Sequence, residues 1–375
     1  MKRNYLLLSL LLMFSLTLVA CGNKKETSQE AANTSNTKTT ETTTEAKDLT
    51  VGFVSDEGGV NDRSFNEGVF KGITKAEEEL GIKKTYKEST QASEYDSNLE
   101  TVLDEGAQLI VGAGFKMGDA IVKAAKENPD VNYVIVDVDV TSGVDEKGNP
   151  IKVEAPSNLL GIMFRAKEPS FLVGYIAGYT TQSNLVGFVG GQESTLIKEF
   201  EYGYTAGVKY AAKELGKEID VKAQYVGNFS DAQKGKAIAN QMYSEGADVV
   251  FHASGGAGDG VISAAEEQHK WAIGVDMDQY EVSPEHVLTS AMKNANVVVF
   301  DVIKDLAEGK PFEGGKTVEY GLKEDGSVGI APTSDKNVPQ EILDKTAEVE
   351  KKIVADEIVV PGTEAEYTDF VNNLK

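Results

Sequence analysis

The sequence predicts an α/β protein of two Rossmann-like lobes with parallel sheets, joined by a hinge. Short apolar strands alternate with amphipathic helices, a pattern that implies parallel sheets covered by helices on both faces. The chain also repeats itself. VGFV at 51–54 returns at 186–189, and EGAQLIVGAGFKMGDAIVKAA at 105–125 returns without a gap as EGADVVFHASGGAGDGVISAA at 245–265. Such a repeat indicates duplicated domains rather than a solenoid, whose periods are far shorter.

Residues 1–47 are predicted to lie outside the lobes. Residues 1–20 carry Lys2 and Arg3 and then an apolar run, which is typical of an export signal and short for a transmembrane helix. Cys21 follows LVA directly and is the chain's one cysteine. A buried thiol is the ordinary alternative, but this position favours lipidation. The rest of 21–47 has almost no apolar side chain, so we expect a disordered tether.

The elements of the folded part follow in order. The first copy predicts a strand at 49–54, a helix with Val69, Ile73 and Leu80 on its apolar face, a helix at 94–105, a strand at 108–113, a helix at 117–126, a strand at 133–138 and a loop at 140–157. The second copy predicts a helix at 171–180, strands at 185–190, 221–226, 247–253 and 272–275, and helices at 200–208, 232–245 and 260–268. A strand at 287–292, a helix at 295–308, strands near 317–322 and a helix near 338–355 remain.

Neither copy accounts for those last elements, so the chain is expected to cross between lobes more than once. We place the crossings near 160, 283 and 314. Lobe 1 is then predicted to contain 48–160 and 284–313, and lobe 2 to contain 161–283 and 314–375.

Composition and motifs exclude several classes of function. The formal charge of −23 argues against nucleic acid or anionic lipid as a partner. The three histidines are scattered without a Cys or Glu at metal spacing, and no GxSxG or GxxxxGK[ST] motif is present. We therefore expect no metal, no cofactor and no enzymatic activity. Glycine clusters at 112–118 and 255–260 follow strands but not the first strand of a domain, so tight turns are favoured over a dinucleotide fingerprint.

Equivalent residues in the two copies are the candidates for a binding site. Phe65 and Phe200 occupy matching places at helix starts, where core packing is the ordinary alternative, and two facing rings suit a flat aromatic guest. Asp137 and Asp276 match at strand ends, where ligands of open sheets bind, although solvation is equally common there. Lys293 follows a strand near a predicted crossing, and for a single lysine the ordinary alternative is solvent exposure. Phe115 is a weaker candidate, and the opening loop adds polar residues that also stabilise turns: Asp56, Asn61, Asp62 and Asn66.

Several segments in one order resemble the basic membrane lipoprotein family, the purine-nucleoside receptors of the PnrA-like group. They are the lipobox-like LVAC, DEGGVNDRSFN (56–66), KEPSFLVGYIAG (167–178), FEYGYTAG (200–207), GVDMDQ (274–279) and TSAMKN (289–294). The resemblance implies a type I periplasmic-binding-protein fold. It also implies a monomeric, extracytoplasmic lipoprotein, anchored to the membrane by lipid, that delivers a purine nucleoside to an ABC permease.

The same resemblance implies roles for individual residues. Phe65 and Phe200 would stack the base, and Asp56, Asn61, Asp62 and Asp137 would contact it. Gly255 or Gly256, Asp276 and Lys293 would contact the ribose hydroxyls. Many relatives carry Asp where this chain has Asn61, an amide that donates as well as accepts, so the preferred base is left open.

Three other hypotheses remain open from the sequence. A sugar or polyol receptor would use the same carboxylates and one of the rings. A nucleoside hydrolase would need a metal-binding Asp cluster or a general base. An adhesive surface protein would leave the duplicated cleft without a role.

Overall fold

A computed structural model of the protein describes residues 48–145, 149–324 and 326–374. The predicted export signal at 1–20, the predicted lipidation site Cys21 and the tether up to residue 47 lie outside the described residues. Within the described ranges, no helix is both long enough and apolar enough to cross a membrane.

Strands and helices alternate along most of the chain, as the apolar periodicity predicts. The strands are β1 (Thr50–Val54), β2 (Lys83–Lys87), β3 (Leu109–Ala113), β4 (Asn132–Val136), β5 (Ser142–Val144), β6 (Pro150–Lys152), β7 (Leu159–Phe164), β8 (Leu185–Gly190), β9 (Asp220–Tyr225), β10 (Val249–Ala253), β11 (Trp271–Asp276), β12 (Val287–Lys293), β13 (Lys316–Tyr320) and β14 (Val328–Ile330). The helices are α1 (Phe65–Leu80), α2 (Tyr95–Asp104), α3 (Gly118–Glu127), α4 (Lys167–Thr180), α5 (Thr195–Leu215), α6 (Ala232–Ser244), α7 (Gly258–Gln268), α8 (Ala295–Ala307), α9 (Gln340–Val354) and α10 (Glu364–Asn373).

The duplication read from the sequence is visible in the strand order. One six-stranded sheet runs β2-β1-β3-β4-β7-β13, and the other runs β9-β8-β10-β11-β12-β14. Every pair in the first sheet is parallel, whereas β14 ends the second sheet antiparallel to β12. Every residue of β3 and of β10 is buried, as expected for inner strands covered on both faces. The predicted α/β class with two parallel-sheet lobes is confirmed, and we call the parts built on these sheets lobe 1 and lobe 2.

The predicted crossings at 160, 283 and 314 do not follow the sheets. β7 and β13 pair with each other in the first sheet, although most of β7 and all of β13 had been expected in lobe 2. β12 pairs with β11 in the second sheet, although it had been expected in lobe 1. The physical reason is that the chain completes five strands of one sheet before it crosses to the other lobe. The crossings therefore come after β7, after β12 and after β13.

Sequence patterns missed several short elements. β2 reads KKTYK, an edge strand whose lysines hide the apolar alternation and discourage edge pairing. β5 and β6 form a hairpin inside the predicted loop. α10 was also missed, although its capping box of Thr363 and Glu366 is a recognisable start signal.

Glycines let α4 and α5 pack backbone to backbone in lobe 2. A methyl group on Gly207 would overlap the carbonyl oxygen of Phe171, and one on Gly174 would overlap that of Tyr204. Close packing of the two helices therefore explains the glycines in the segments KEPSFLVGYIAG and FEYGYTAG. The same contact fixes α5, which carries Phe200, against the rest of the lobe.

We expect Gly207→Ala to lower the free energy of unfolding by at least about 2 kcal/mol, because the added methyl group must push two buried helices apart. Gly329→Ala is the matched control, since nothing lies within 4 Å of a methyl group there. Denaturant unfolding of the two variants checks this. Equal stabilities for both variants would contradict the close helix contact.

Candidate functional site

A cavity lies between the lobes, at the carboxyl ends of β4 and β11. It is a small cavity of about 50 Å³. It is lined by Asp56, Asp62, Phe65, Asn66, Gly114, Phe115, Asp137, Leu196, Ile197, Phe200, Phe229, Ala253, Gly255, Val275, Asp276 and Lys293.

Most residues predicted from the sequence meet at this cavity. Asn61 and Gly256 do not line it. Val60, Asp62 and Ser64 are buried while Asn61 is exposed, because successive residues of the opening loop point to opposite sides. Contact between Asn61 and a ligand therefore stays a prediction that the cavity lining does not support. Of the two glycines offered as alternatives, Gly255 is the one at the cavity.

Asp137 and Asp276 occupy equivalent positions in the two lobes. Each comes at the carboxyl end of its strand, and each has a left-handed backbone, with φ of 69° and 64°. For residues other than glycine this conformation costs free energy, and it is found where surrounding structure requires it. Both residues are 6 % exposed. The duplicated turn thus points two aspartates into one cleft.

Lys293 joins the two aspartates. Its Nζ lies 2.6 Å from Asp137 Oδ2 and 3.7 Å from Asp276 Oδ1. Burial alone would lower the pKa of Lys293, but the two carboxylates raise it above its ordinary value, so the ammonium stays charged. The same Nζ lies 4.2 Å from the ring centre of Phe65 and 5.9 Å from that of Phe200. One cation therefore lies close to both equivalent rings and both equivalent acids.

The carboxylate of Asp62 is occupied by its own helix. It accepts hydrogen bonds from the backbone amides of Ser64, Asn66 and Glu67, each at 3.0 Å, and from Asn66 Nδ2 at 3.1 Å. It thereby caps α1 in place of Ser64, whose side chain makes no cap. Four donors fill the acceptor sites of a carboxylate, so Asp62 holds the start of α1 in position rather than offering an acceptor to a ligand.

Asn66 is also saturated, whereas Asp56 is not. Asn66 Nδ2 donates to Asp56 Oδ1 at 2.7 Å and to Asp62, and its Oδ1 accepts from the amide of Asp56 at 3.3 Å. Asp56 Oδ1 also accepts from the amide of Gly58 at 3.0 Å. Among the described residues, no hydrogen bond reaches Asp56 Oδ2. Burial raises the pKa of this carboxyl.

Asp137 offers a second unused acceptor. Its Oδ2 receives Lys293, but its Oδ1 is buried and has no partner in the described chain. Asp276 differs, because Ser64 Oγ donates to its Oδ2 from the other lobe. A buried acceptor without a donor is unfavourable, so a bound molecule with a donor group at Asp137 would relieve that cost.

The two glycine clusters prove to be structural at most of their positions. A methyl group on Gly258 would overlap the ring of His252, and one on Gly260 would overlap the carbonyl oxygen of Ala232 in the neighbouring helix. Gly114 faces Asp56 Oδ2, and Gly255 has a left-handed backbone at the cavity wall. These observations support the preference for tight turns over a dinucleotide fingerprint.

Sequence reasoning missed several apolar wall residues. Phe229 meets Phe115 edge to face across the cleft, with ring centres 6.2 Å apart. Phe115, a weaker candidate from the sequence, lines the cavity, and so does Phe229, which lies in a polar loop that no sequence pattern singles out. The only signal for Phe229 is an aromatic ring in a turn-rich segment. No group of three or more His, Cys, Asp and Glu side chains in the described ranges is placed to hold a metal ion.

Residues 49–364 match the Bmp family, described as PnrA-like ABC transporter substrate-binding proteins. The chain is 36 % identical to the ABC transporter nucleoside-binding protein BmpA of Lactococcus lactis over 84 % of this chain and 90 % of that protein. It is 34 % identical to basic membrane protein A of Borreliella burgdorferi over 85 % of this chain and 89 % of that one. A solute-binding protein of an ABC transporter from Aeropyrum pernix superposes with a TM-score of 0.74 at 26 % identity, covering 87 % of this chain and 97 % of the other.

The chain belongs to the Bmp family. The resemblance noted in the sequence is thereby confirmed, and so is the periplasmic-binding-protein type of fold. Bmp proteins are solute-binding receptors of ABC transporters rather than enzymes, and such receptors are extracytoplasmic. Family membership implies a ligand and a permease partner for this Bmp protein.

Glu199 precedes Phe200 in α5 of this Bmp protein and does not line the cavity. Burial raises its pKa to about 7, Lys167 opposes that shift, and Glu319, Asp137 and Glu366 add to it. Its carboxyl therefore keeps a proton in the folded state at pH values where the unfolded chain has lost it.

Because the pKa is raised on folding, Glu199 stabilises the fold fully below about pH 4.5 and loses that contribution as pH rises to about 7. As the pH rises from 4.5 to 8, the wild type loses this contribution and Glu199→Gln does not. We therefore expect the free energy of unfolding of Glu199→Gln, measured relative to the wild type, to increase by about 3 kcal/mol over this range. Denaturant unfolding at both pH values measures this. Exposed Glu218→Gln is the control and should show no such gain. A pH-independent difference for Glu199→Gln would contradict the raised pKa.

Proposed function

We propose that the cavity binds a nucleoside with a purine base and that this protein delivers it to an ABC permease. The observation that carries the proposal is that Phe65 and Phe200, which match in the sequence repeat, line one cavity from the two lobes. Phe65 begins α1, whereas Phe200 lies in the second turn of α5 and not at the expected helix start. Aromatic walls suit a flat base, and stacking is worth about 1–3 kcal/mol per base. The name of the Lactococcus lactis relative, a nucleoside-binding protein, supports the same ligand class.

The polar groups divide into two sets that suit the two halves of a nucleoside. Asp137, Asp276 and Lys293 form a charged cluster against the ring of Phe65, and vicinal ribose hydroxyls can both donate to carboxylates and accept from an ammonium. Asp56 Oδ2, in the opening loop, suits an N–H donor on the edge of a base. Asn61 is exposed, so base preference in this proposal rests on Asp56 rather than on Asn61.

Charge in the cavity supports an uncharged ligand. The cavity is lined by four aspartates, Asp56, Asp62, Asp137 and Asp276, and by one lysine. A phosphate group brought into this setting would meet several buried carboxylates at short range, which is unfavourable in a poorly solvated site. A free nucleoside avoids that repulsion, and a nucleotide does not.

Removing either ring should weaken nucleoside binding. We expect Phe65→Ala and Phe200→Leu to raise the Kd for adenosine or guanosine by about tenfold to a hundredfold, because each removes one stacking surface. Leucine at position 200 keeps most of the buried volume, since Phe200 is only 3 % exposed. Calorimetric titration measures the affinities, and thermal unfolding reports whether each variant is folded.

Phe312→Ala is the control for that measurement, because this ring lies in a groove with β13 and α8 and does not line the cavity. It should bind nucleosides as the wild type does. If D-ribose bound as tightly as adenosine, a sugar receptor would replace the proposed nucleoside receptor. No binding of any nucleoside by folded wild-type protein would reject the proposal.

We further propose that the mature protein begins at a lipid-bearing Cys21, acts as a monomer and is held at the membrane by that lipid. The apolar run before LVAC supports this, and the acidic chain offers no electrostatic route to anionic lipid. Intact-mass measurement of protein from membranes should show residues 1–20 missing and a lipid mass on Cys21. An unmodified thiol would contradict the anchor.

A further inference from the structure

The cleft is bridged by hydrogen bonds that belong to the protein alone. Gln279 Nε2 in lobe 2 donates to the carbonyl oxygen of Arg63 in lobe 1 at 2.8 Å. Beside it, Ser64 Oγ in lobe 1 donates to Asp276 Oδ2 in lobe 2. Gln279 is 2 % exposed and does not line the cavity, so this contact lies behind the ligand site.

Two groups of lobe 2 fix the side chain of Gln279. Its Oε1 accepts from the backbone amide of Val275 at 3.0 Å and contacts His252 Nε2 at 2.9 Å. The backbone N–H of Gln279 donates to Ser290 Oγ at 3.1 Å and holds the main chain of the same turn. A backbone N–H can only donate, so the atom that faces Val275 must be oxygen. The NH₂ group of Gln279 is therefore directed at lobe 1.

His252 completes this arrangement. Since Gln279 Oε1 is an acceptor, His252 Nε2 must carry the proton, and His252 Nδ1 is left to accept from Ser254 Oγ at 3.3 Å. The ring is fully buried, and burial lowers its pKa to about 4 despite the bond to Gln279. At neutral pH the imidazole is uncharged and holds the amide in one orientation.

Arg63 of lobe 1, which accepts the hydrogen bond from Gln279, has an unfavourable backbone conformation. Arg63 has φ of 53°, in the left-handed region that a long side chain rarely adopts. Its guanidinium is exposed and lies 3.7 Å from Asp259 of lobe 2, a solvated pair that contributes little. The buried amide of Gln279 is thus the better-defined partner of this strained turn.

We propose that Gln279 is a positioning residue, which holds the lobes closed through a side-chain amide whose direction is fixed by Val275 and His252. The contact sets how far the lobe 1 turn and the lobe 2 strand ends approach, and so sets the spacing of Phe65 and Phe200. It acts on lobe closure and does not depend on which solute the cavity takes.

Gln279→Glu tests this with little change of shape. The carboxylate keeps an acceptor for Val275 and His252, but at neutral pH it cannot donate to Arg63 and instead meets its carbonyl oxygen. We expect the ratio of closed to open protein, with no nucleoside added, to fall about tenfold, the effect of losing a hydrogen bond at the upper end of the usual range. Gln268→Glu is the control, because it makes the same change at an exposed site of lobe 2.

Distances between nitroxide labels on exposed Glu100 and Gln241, one in each lobe, report closure. Both sites are changed to cysteine and Cys21 to serine, so that only these positions are labelled. When the pH is lowered from 7.5 to 5, the introduced carboxyl takes up a proton and can donate again, so the closed population should return. In the wild type His252 stays neutral over this range, so the wild type should show no such change with pH.

A purely structural defect would not be reversed by acid, so recovery at pH 5 is the specific signature. Gln279→Met, which cannot donate at any pH, should stay open at both pH values. The proposal is overturned if the wild type has no closed population without nucleoside, or if Gln279→Glu matches Gln268→Glu at pH 7.5. Neither result depends on nucleoside binding, so this inference and the proposed function can fail separately.

Discussion

The two lobes meet around a buried ion pair. Lys293 ends β12 of lobe 2, Asp137 follows β4 of lobe 1, and each side chain is only 4 % exposed. Charges buried this deeply persist only when they are paired, and removing one partner typically costs about 3–5 kcal/mol. The lysine therefore must stay between the sheets, and its position determines which faces of Phe65 and Phe200 remain available. Much of the geometry of the cavity follows from this one contact.

Duplication supplied two equivalent aspartates, and the structure uses them differently. Both follow a strand in a left-handed turn. Asp137 has one carboxylate oxygen without a partner, whereas one oxygen of Asp276 accepts a hydrogen bond from Ser64 of the opposite lobe. One copy is thus left able to take a donor from a ligand, and the other helps to hold the lobes together. A symmetrical scaffold has become an asymmetrical site through the partners of two side chains rather than through a change in the backbone.

Local patterns predicted most of the fold, and equivalence between the two copies predicted the centre of the site. Apolar periodicity is a local property, so it located most strands and helices of both copies to within a few residues. The helix predicted at 200–208 is the exception, because α5 begins five residues earlier and ends seven residues later. Phe65, Phe200, Asp137 and Asp276 were found because the repeat pairs them. β2 was not predicted, because its lysines suit a solvated edge strand and hide the alternation of apolar and polar residues. The lobe boundaries failed because a strand's sheet is decided by long-range pairing, which no local window contains.

The same limit explains what was misjudged at the site. Sequence alone shows that Asp62 and Asn66 are polar residues in a turn, but it cannot show that their hydrogen-bonding groups are already used within the loop. It shows Gln279 inside a recognisable segment, but not that a backbone amide and a histidine fix its direction. Whether a polar group is available to a ligand depends on its other partners. Those partners are set by tertiary structure.

Recognition and closure consequently use different atoms of one short segment. GVDMDQ at 274–279 places Asp276 at the cavity wall and Gln279 behind it, so a single turn both lines the ligand site and contacts the opposite lobe. Wall residues can then change to suit another solute while Gln279 and its supports stay as they are. Such a separation would let one closing movement serve receptors with different ligands, because the free energy of closing is supplied partly by contacts that no ligand touches.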